Sequence, residues 1–286
     1  MKRKIGIITL IIVLIVGLMP ARTYAEKKYS KEEYISQGME EDWAEIKARG
    51  VLRIGILSTD QIGFYMEDEN GELSGLDIDV ARNVASYLHL EPEFVRIDGG
   101  YDGLLEATKN GDVDICLSTF SHTMERLQFI NFSRPYLTTN YATIVNKSAM
   151  VRAGVKSNPI PYMRTHPIDI ALQGGTSHIP RVKDLFPMVN IIETEDAETA
   201  VNMVIAGDAF ATLTSESELF VYCLSNPSSS IYTKGYSFND VNNEFCIGVN
   251  REYPTLLKMI NLYLDTSRQM SEKEIERWFY EFLKEE

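Results

Sequence analysis

Cysteine, histidine and tryptophan are scarce, at three, four and two in 286 residues. Cys116, Cys223 and Cys246 lack the paired spacing that holds a metal, so no metal and no other cofactor is expected. Cys116 lies in the apolar run Val113-Asp114-Ile115-Cys116-Leu117 and reads as a small core residue. Cys223 and Cys246 are a candidate bridge in an oxidising compartment. Positive charge is also short: 28 Lys and Arg stand against 41 Asp and Glu, a net −13. Such a chain repels nucleic acid and anionic lipid, and neither is expected as a partner. Beyond Met19 no apolar run approaches the roughly 20 residues that a spanning helix needs.

What is present begins with a leader. Lys2, Arg3 and Lys4 precede the apolar stretch Ile5 to Met19, and Thr23-Tyr24-Ala25 follows with small residues. The pattern predicts a secretory signal over residues 1–25, cleaved after Ala25, with an uncleaved anchor as the alternative. Cleavage removes four basic residues (Lys2, Arg3, Lys4, Arg22) and takes the formal charge from −13 to −17. The remainder is long enough for two lobes with sizeable cores. An exported protein is expected, in the periplasm or at the cell surface, and a monomer.

Strand and helix patterns then alternate. Residues 26–49 form a helical extension docked by Trp43, and Gly50 to Ile56 is a first strand. Asn70-Gly71 marks a turn, Asp77 and Asp79 open a helix over Val80–Leu88, and Glu93–Ile97 is a second strand. A helix over Tyr101–Lys109 and a third strand over Val113–Leu117 follow. The pattern restarts at Ile168–Leu172, with Gly174-Gly175 as a turn, then strands at Asn190–Glu193 and Ala209–Leu213. Phe245–Val249 is the last strand, ahead of two amphipathic helices. The alternation predicts parallel sheets flanked by helices. It gives an α/β architecture of two lobes: 50–140 with 247–286, and 141–246. Two hinge crossings, at Tyr141–Val145 and Phe245–Val249, would join them around a ligand cleft.

Ligands of such sheets gather beyond the carboxyl ends of the strands. Ser118-Thr119-Phe120-Ser121 sits there, and Arg126 follows. Hydroxyls, backbone N–H groups and one guanidinium fork suit a small carboxylate. Taken alone, the same run also fits an Arg closing a surface turn.

In order and spacing, several pieces closely resemble the bacterial extracellular solute-binding proteins of family 3, the polar amino-acid type. They are Gly50-Val51-Leu52-Arg53-Ile54-Gly55, Asn70 to Asp79, Tyr101-Asp102-Gly103-Leu104-Leu105, and Thr123-Met124-Glu125-Arg126 with Phe132-Ser133-Arg134-Pro135-Tyr136. The resemblance implies a type II periplasmic-binding fold and an amino acid or similar small carboxylate as ligand. It also implies a membrane ABC importer permease as partner. By the same resemblance Arg126 grips the ligand carboxylate, Ser121 and Thr119 add donors and acceptors, and Ser118 offers a carbonyl to the amine. Thr176 and Ser177 meet the carboxylate from the second lobe. Tyr101 packs on the ligand, or else is a core aromatic.

Two departures stand out. Gln61 occupies the place of an aromatic ring over the ligand. Thr214 and Ser215 stand where an acid usually takes the ligand amine, with Glu216 and Glu218 beyond. Ser215 is therefore the candidate there, and carboxylic acids without an amine are expected to compete well. Two other functions fit the fold. One is a prephenate or arogenate (cyclohexadienyl) dehydratase, with His178 or His122 as the only proton sources near the turn. The other is a ligand-sensing partner of a membrane receptor.

Overall fold

The computed structural model describes residues 28–267, 270 and 272–285, so the leader lies outside the described residues. The chain begins with α1 (Lys31–Ser36) and α2 (Glu41–Arg49), two helices where the sequence suggested one. Then come β1 (Val51–Leu57), a hairpin of β2 (Met66–Glu67) and β3 (Leu73–Ser74), and α3 (Leu76–Tyr87). β4 (Glu91–Ile97), α4 (Gly100–Asn110) and β5 (Ile115–Cys116) complete this stretch. β6 (Asn131–Asn146) leads to α5 (Lys147–Arg152), α6 (Ile160–Met163), β7 (Asp169–Gln173) and α7 (His178–Leu185). β8 (Asn190–Thr194), α8 (Ala197–Ala206), β9 (Ala211–Ser215) and α9 (Glu216–Ser225) follow. β10 (Thr233–Val249) returns, and α10 (Pro254–Thr266) and α11 (Glu272–Glu285) close the described chain.

The strands form one eight-stranded sheet in the order β4-β1-β5-β10-β6-β9-β7-β8. Its outer pairs, β1 with β4 and β5, and β7 with β8 and β9, are parallel. The centre is antiparallel, which corrects the expectation of purely parallel sheets: β6 and β10 run the full width of both lobes against each other. The last strand is thus 17 residues long, far more than Phe245–Val249. The inter-lobe passages also shift. Tyr141–Val145 already pairs with β9 in the second lobe, while Gly248 and Val249 pair with β5 in the first. The chain changes lobe between these pairings, and a register break between Ser237 and Asn242 marks the return.

Each lobe has its own core. Leu52, Ile54, Ile56, Ile78 and Ile247 centre the first, and Ile170, Leu172, Val182, Phe186 and Phe238 the second. α9 joins them, because its Val221 belongs to the first lobe's core. α11 docks at the same junction: Phe279 packs on Phe64 with ring centroids 5.0 Å apart, and the helix lies against α9. All three cysteines are free, Cys223 exposed and Cys246 buried, so the candidate bridge does not form. Among the described residues no helix is long and apolar enough to cross a membrane.

One ion-pair cluster fastens the N-terminal extension to the sheet. Asp114 is fully buried and accepts from the backbone N–H of Arg53 at 2.8 Å, from its guanidinium at 2.7 Å, and from Arg49 of α2. Removing one member of a buried pair strands the remaining charges. Asp114→Ala is therefore expected to cost about 3–5 kcal/mol, read as a lowered urea midpoint.

Candidate functional site

The first wall of the cleft is the loop after β5. Ser118 and Thr119 have φ of +100° and +49°, a region that side-chain-bearing residues seldom occupy. Asp77, in the first turn of α3, holds them there. Its Oδ2 accepts from the N–H groups of Ser118 (3.0 Å) and Thr119 (2.6 Å), and its Oδ1 from the Tyr136 hydroxyl (2.8 Å). Burial pushes the Asp77 carboxyl up to about 6, with those three donors opposing. The Ser118 hydroxyl accepts from Leu57 N–H at 3.0 Å and is fully buried. The loop then turns outward, so that Ser121 and Arg126 reach the cleft.

Arg126 is only 7% exposed, yet no carboxylate among the described residues pairs with it. Its Nη1 donates to the Ser121 carbonyl (2.7 Å) and its Nη2 to the Gly175 carbonyl across the cleft (3.0 Å). The guanidinium carbon lies 4.1 Å from the Phe120 ring centroid and 5.3 Å from that of Tyr101. Burial lowers its pKa, but a guanidinium keeps its charge at any physiological pH. A desolvated cation held by carbonyls and ring faces alone favours an incoming anion.

The second wall comes from the turn after β7 and from α9. Gly175 adopts φ +71°, which presents its carbonyl to Arg126; a Cβ there would be strained and would approach Asp102 Oδ2 at 3.3 Å. Thr176 donates its hydroxyl proton to the Gln173 carbonyl (2.8 Å), leaving lone pairs for the cleft. Ser177 occupies the N-cap position of α7 without a side-chain capping bond. Pro180 in the first turn has no N–H and Ile179 N–H points to the Thr176 carbonyl (3.4 Å), so the His178 N–H is the one the first turn leaves for an anion.

Glu218 enters from the first turn of α9. Its Oε2 accepts from Ser215 N–H (2.8 Å) and the Thr214 hydroxyl (3.0 Å), and its Oε1 from Gln61 Nε2 in the other lobe (2.7 Å). Burial opposes its charge, but His178 and the donors on Ser215 and Gln61 outweigh it and hold the carboxyl below the usual range. Burial also holds the His178 imidazole below its ordinary value, Glu218 opposing and Arg126 reinforcing. At neutral pH the walls therefore carry one cation, one anion and one neutral imidazole.

Tyr101, Thr119, Ser121, Arg126, Thr176 and Ser177 line a single cavity with His178, Glu218 and Phe245. The free space between these walls is about 20 Å³, enough for little more than one water, so admitting a metabolite requires the walls to part. A larger hollow of about 160 Å³, lined by Leu76, Val80, Tyr136, Met270 and Ile275, offers no charged group among the described residues to orient a ligand. Tyr101 stacks on Phe120 (6.0 Å between centroids) and also lines the cleft.

Three candidates fall elsewhere. Ser215 is fully buried as the N-cap of α9, where its hydroxyl accepts from Glu218 N–H (3.1 Å). Ser118 faces β1. Gln61 bridges to Glu218 and meets Tyr65 (3.2 Å), so it supports the site from behind. An acid does reach the cavity, Glu218, although Ser215 does not. β9 ends two residues later than the sequence suggested, which moves the carboxylate into the helix. The capping box Ser215-x-x-Glu218 was the available signal. Asp77 was also missed as a site residue; an acid between Leu76 and Ile78 at a helix start hinted at burial.

A family model described as bacterial extracellular solute-binding proteins, family 3, matches residues 52–281. The chain belongs to that family. Among its relatives is a protein named as the glutamine-binding protein of an ABC transporter in Bacillus subtilis, 23% identical over 265 residues, 92% of this chain and 91% of that one. The fold is similar to an ancestral amino-acid-binding protein described as a precursor of cyclohexadienyl dehydratase (TM-score 0.65, 23% identity, 88% of this chain and 98% of the other). It is also similar to a solute receptor for L-cysteine of Neisseria gonorrhoeae (TM-score 0.65, 19% identity, 84% and 93%).

The Asp77 clamp is directly testable. Its folded pKa near 6 lies above the roughly 3.9 of an unfolded Asp, so the folded state binds the proton more firmly. That contribution is complete below about pH 4 and is lost as pH rises through 6, about 3 kcal/mol in all. Urea denaturation should show the stability of the wild type relative to Asp77→Asn falling by that amount from pH 4 to pH 7. Asp77→Ala should be less stable than either at every pH, because it orphans buried donors.

Proposed function

We propose that this protein is an exported receptor that captures an amino acid in the inter-lobe cleft and delivers it to a membrane ABC importer. The observation that carries the reading is the pairing of opposite charges on facing walls: Arg126 from one lobe, Glu218 from the other, both lining one small cavity. An α-amino acid carries the complementary carboxylate and ammonium on adjacent atoms. Thr176, Ser177 and the start of α7 support the carboxylate end, and Tyr101 and Phe245 supply apolar faces for the side chain. The relatives named for amino acids and ABC transport lend the same support.

Calorimetry with the twenty standard L-amino acids should find at least one binder. Arg126→Ala should abolish that binding without lowering the melting temperature by more than a few degrees; unchanged affinity would sink the assignment. Glu218→Gln should weaken binding roughly ten- to hundredfold, the value of a charge-assisted contact of about 1.5–3 kcal/mol. Deaminated acids should bind the wild type worse than their amino counterparts, and the gap should narrow in Glu218→Gln. Equal gaps in both would remove Glu218 from the ammonium site.

A dehydratase is the competing reading, because His178 lies in the cleft just after the glycine turn. Protonating a leaving hydroxyl requires an acid that holds its proton near neutral pH. Glu218 and His178 are both held below their ordinary values, so neither retains one. Incubation with prephenate is expected to yield no aromatic product, and its appearance would favour the enzyme.

A further inference from the structure

Asn243 is 1% exposed on β10, two residues from Phe245 and on the same face of the strand, where Phe245 forms part of the cleft lining. Its Oδ1 accepts the Ser121 hydroxyl proton at 3.0 Å, while its Nδ2 is buried without a hydrogen-bond partner. A buried amide N–H left unpaired costs about 1–3 kcal/mol, so an orphan in this position calls for a physical account. An amide has a donor end and an acceptor end of nearly equal size. Turning it by 180° puts Nδ2 where Oδ1 stands and reverses the bond, so that Asn243 donates to Ser121 Oγ. Nδ2 then has a partner, Oδ1 takes the unpaired place, and the Ser121 proton is released toward the cleft. The two settings each leave one amide atom unpaired, so a ligand can choose between them.

We propose that Asn243 is a positioning residue that sets the direction of the Ser121 hydroxyl, and that a carboxylate held by Arg126 selects the turned amide, in which Ser121 donates to the ligand. The inference rests on the cleft being the amino-acid site. Proximity supports it: Arg126 Nη1 already donates to the Ser121 carbonyl at 2.7 Å, so an anion on the guanidinium lies beside the Ser121 side chain. In the other setting Ser121 spends its only proton on Asn243 and presents lone pairs to a negative group, which repels it. One amide rotation thus decides whether this part of the cleft favours or rejects an anion.

The test is a double-mutant cycle read by calorimetry, using the strongest binder among the twenty L-amino acids. Asn243→Ala should weaken binding about five- to tenfold in the wild-type background and less than twofold in Ser121→Ala. Asn243→Asp, which when ionised can only accept, should lock Ser121 away from the ligand and weaken binding at least a hundredfold at about pH 8.5, above the titration of a buried carboxyl. Circular dichroism melts report folding of each variant, and Asn243→Ser replaces the alanine if the latter does not fold. A loss of the same factor in both Ser121 backgrounds, or Asn243→Asp binding as well as Asn243→Ala, overturns the inference. Arg126→Ala is measured alongside. Binding that survives there, or no amino acid binding at all, overturns the receptor reading and this inference with it, whereas additivity beside a dead Arg126→Ala overturns this inference alone.

Discussion

The site depends on two backbone N–H groups that a buried carboxylate holds in an unfavourable conformation. Left-handed φ at two consecutive non-glycine residues costs on the order of 1–3 kcal/mol each, and Ser118 and Thr119 both adopt it. Two charge-assisted hydrogen bonds from these residues to Asp77 offset a cost of that size. Asp77 also anchors Tyr136 on β6, so the same carboxylate ties α3, the loop after β5 and the central strand together. Everything downstream follows from that turn: Ser121 pairs with Phe245 of β10, and the Arg126 side chain folds back under the loop onto the Phe120 ring. A glycine-based turn would reach the same dihedrals at lower cost, but it would lack the Ser118 hydroxyl that receives Leu57 N–H and the Thr119 side chain that lines the cavity.

The fold was readable to the extent that hydrophobic runs and turn residues are local signals. β1 and β7 were legible as apolar stretches bounded by glycine or polar residues, and β4 and β8 from the short β-branched or aromatic runs Phe94-Val95 and Ile191-Ile192 in the alternating pattern. Most of β10 was not, because Thr233 to Asn243 is mostly polar, with Tyr236, Phe238 and Val241 as its large apolar residues, and takes its strand pairing from β6 rather than from its own composition. The cationic half of the site was visible in the linear run Ser118 to Arg126. The anionic half was hidden by a boundary: whether Glu218 faces the cleft or solvent depends on where β9 stops, and strand ends are set by tertiary pairing with Tyr141 and Ala142. Gln61 and Asn243 were harder still, since their partners lie 157 and 122 residues away in the chain.

Closure can be argued from which bonds span the lobes. Arg126 to the Gly175 carbonyl and Gln61 to Glu218 are both charged-to-neutral contacts across the cleft. Each is worth about 1.5–3 kcal/mol at most, because one partner is only a dipole. On the proposed reading, a zwitterion between the walls would meet Arg126 with a full negative charge and Glu218 with a full positive one. It binds the closed arrangement through both lobes but an open one through a single lobe, and that differential affinity is what shifts a hinge equilibrium. The long strands β6 and β10 suit this motion: they stay hydrogen-bonded within each lobe and relax at the break between Ser237 and Asn242. α9 links the two roles, since it carries Glu218 into the cleft and Val221 into the core against Phe279, so moving the carboxylate moves the joint behind it.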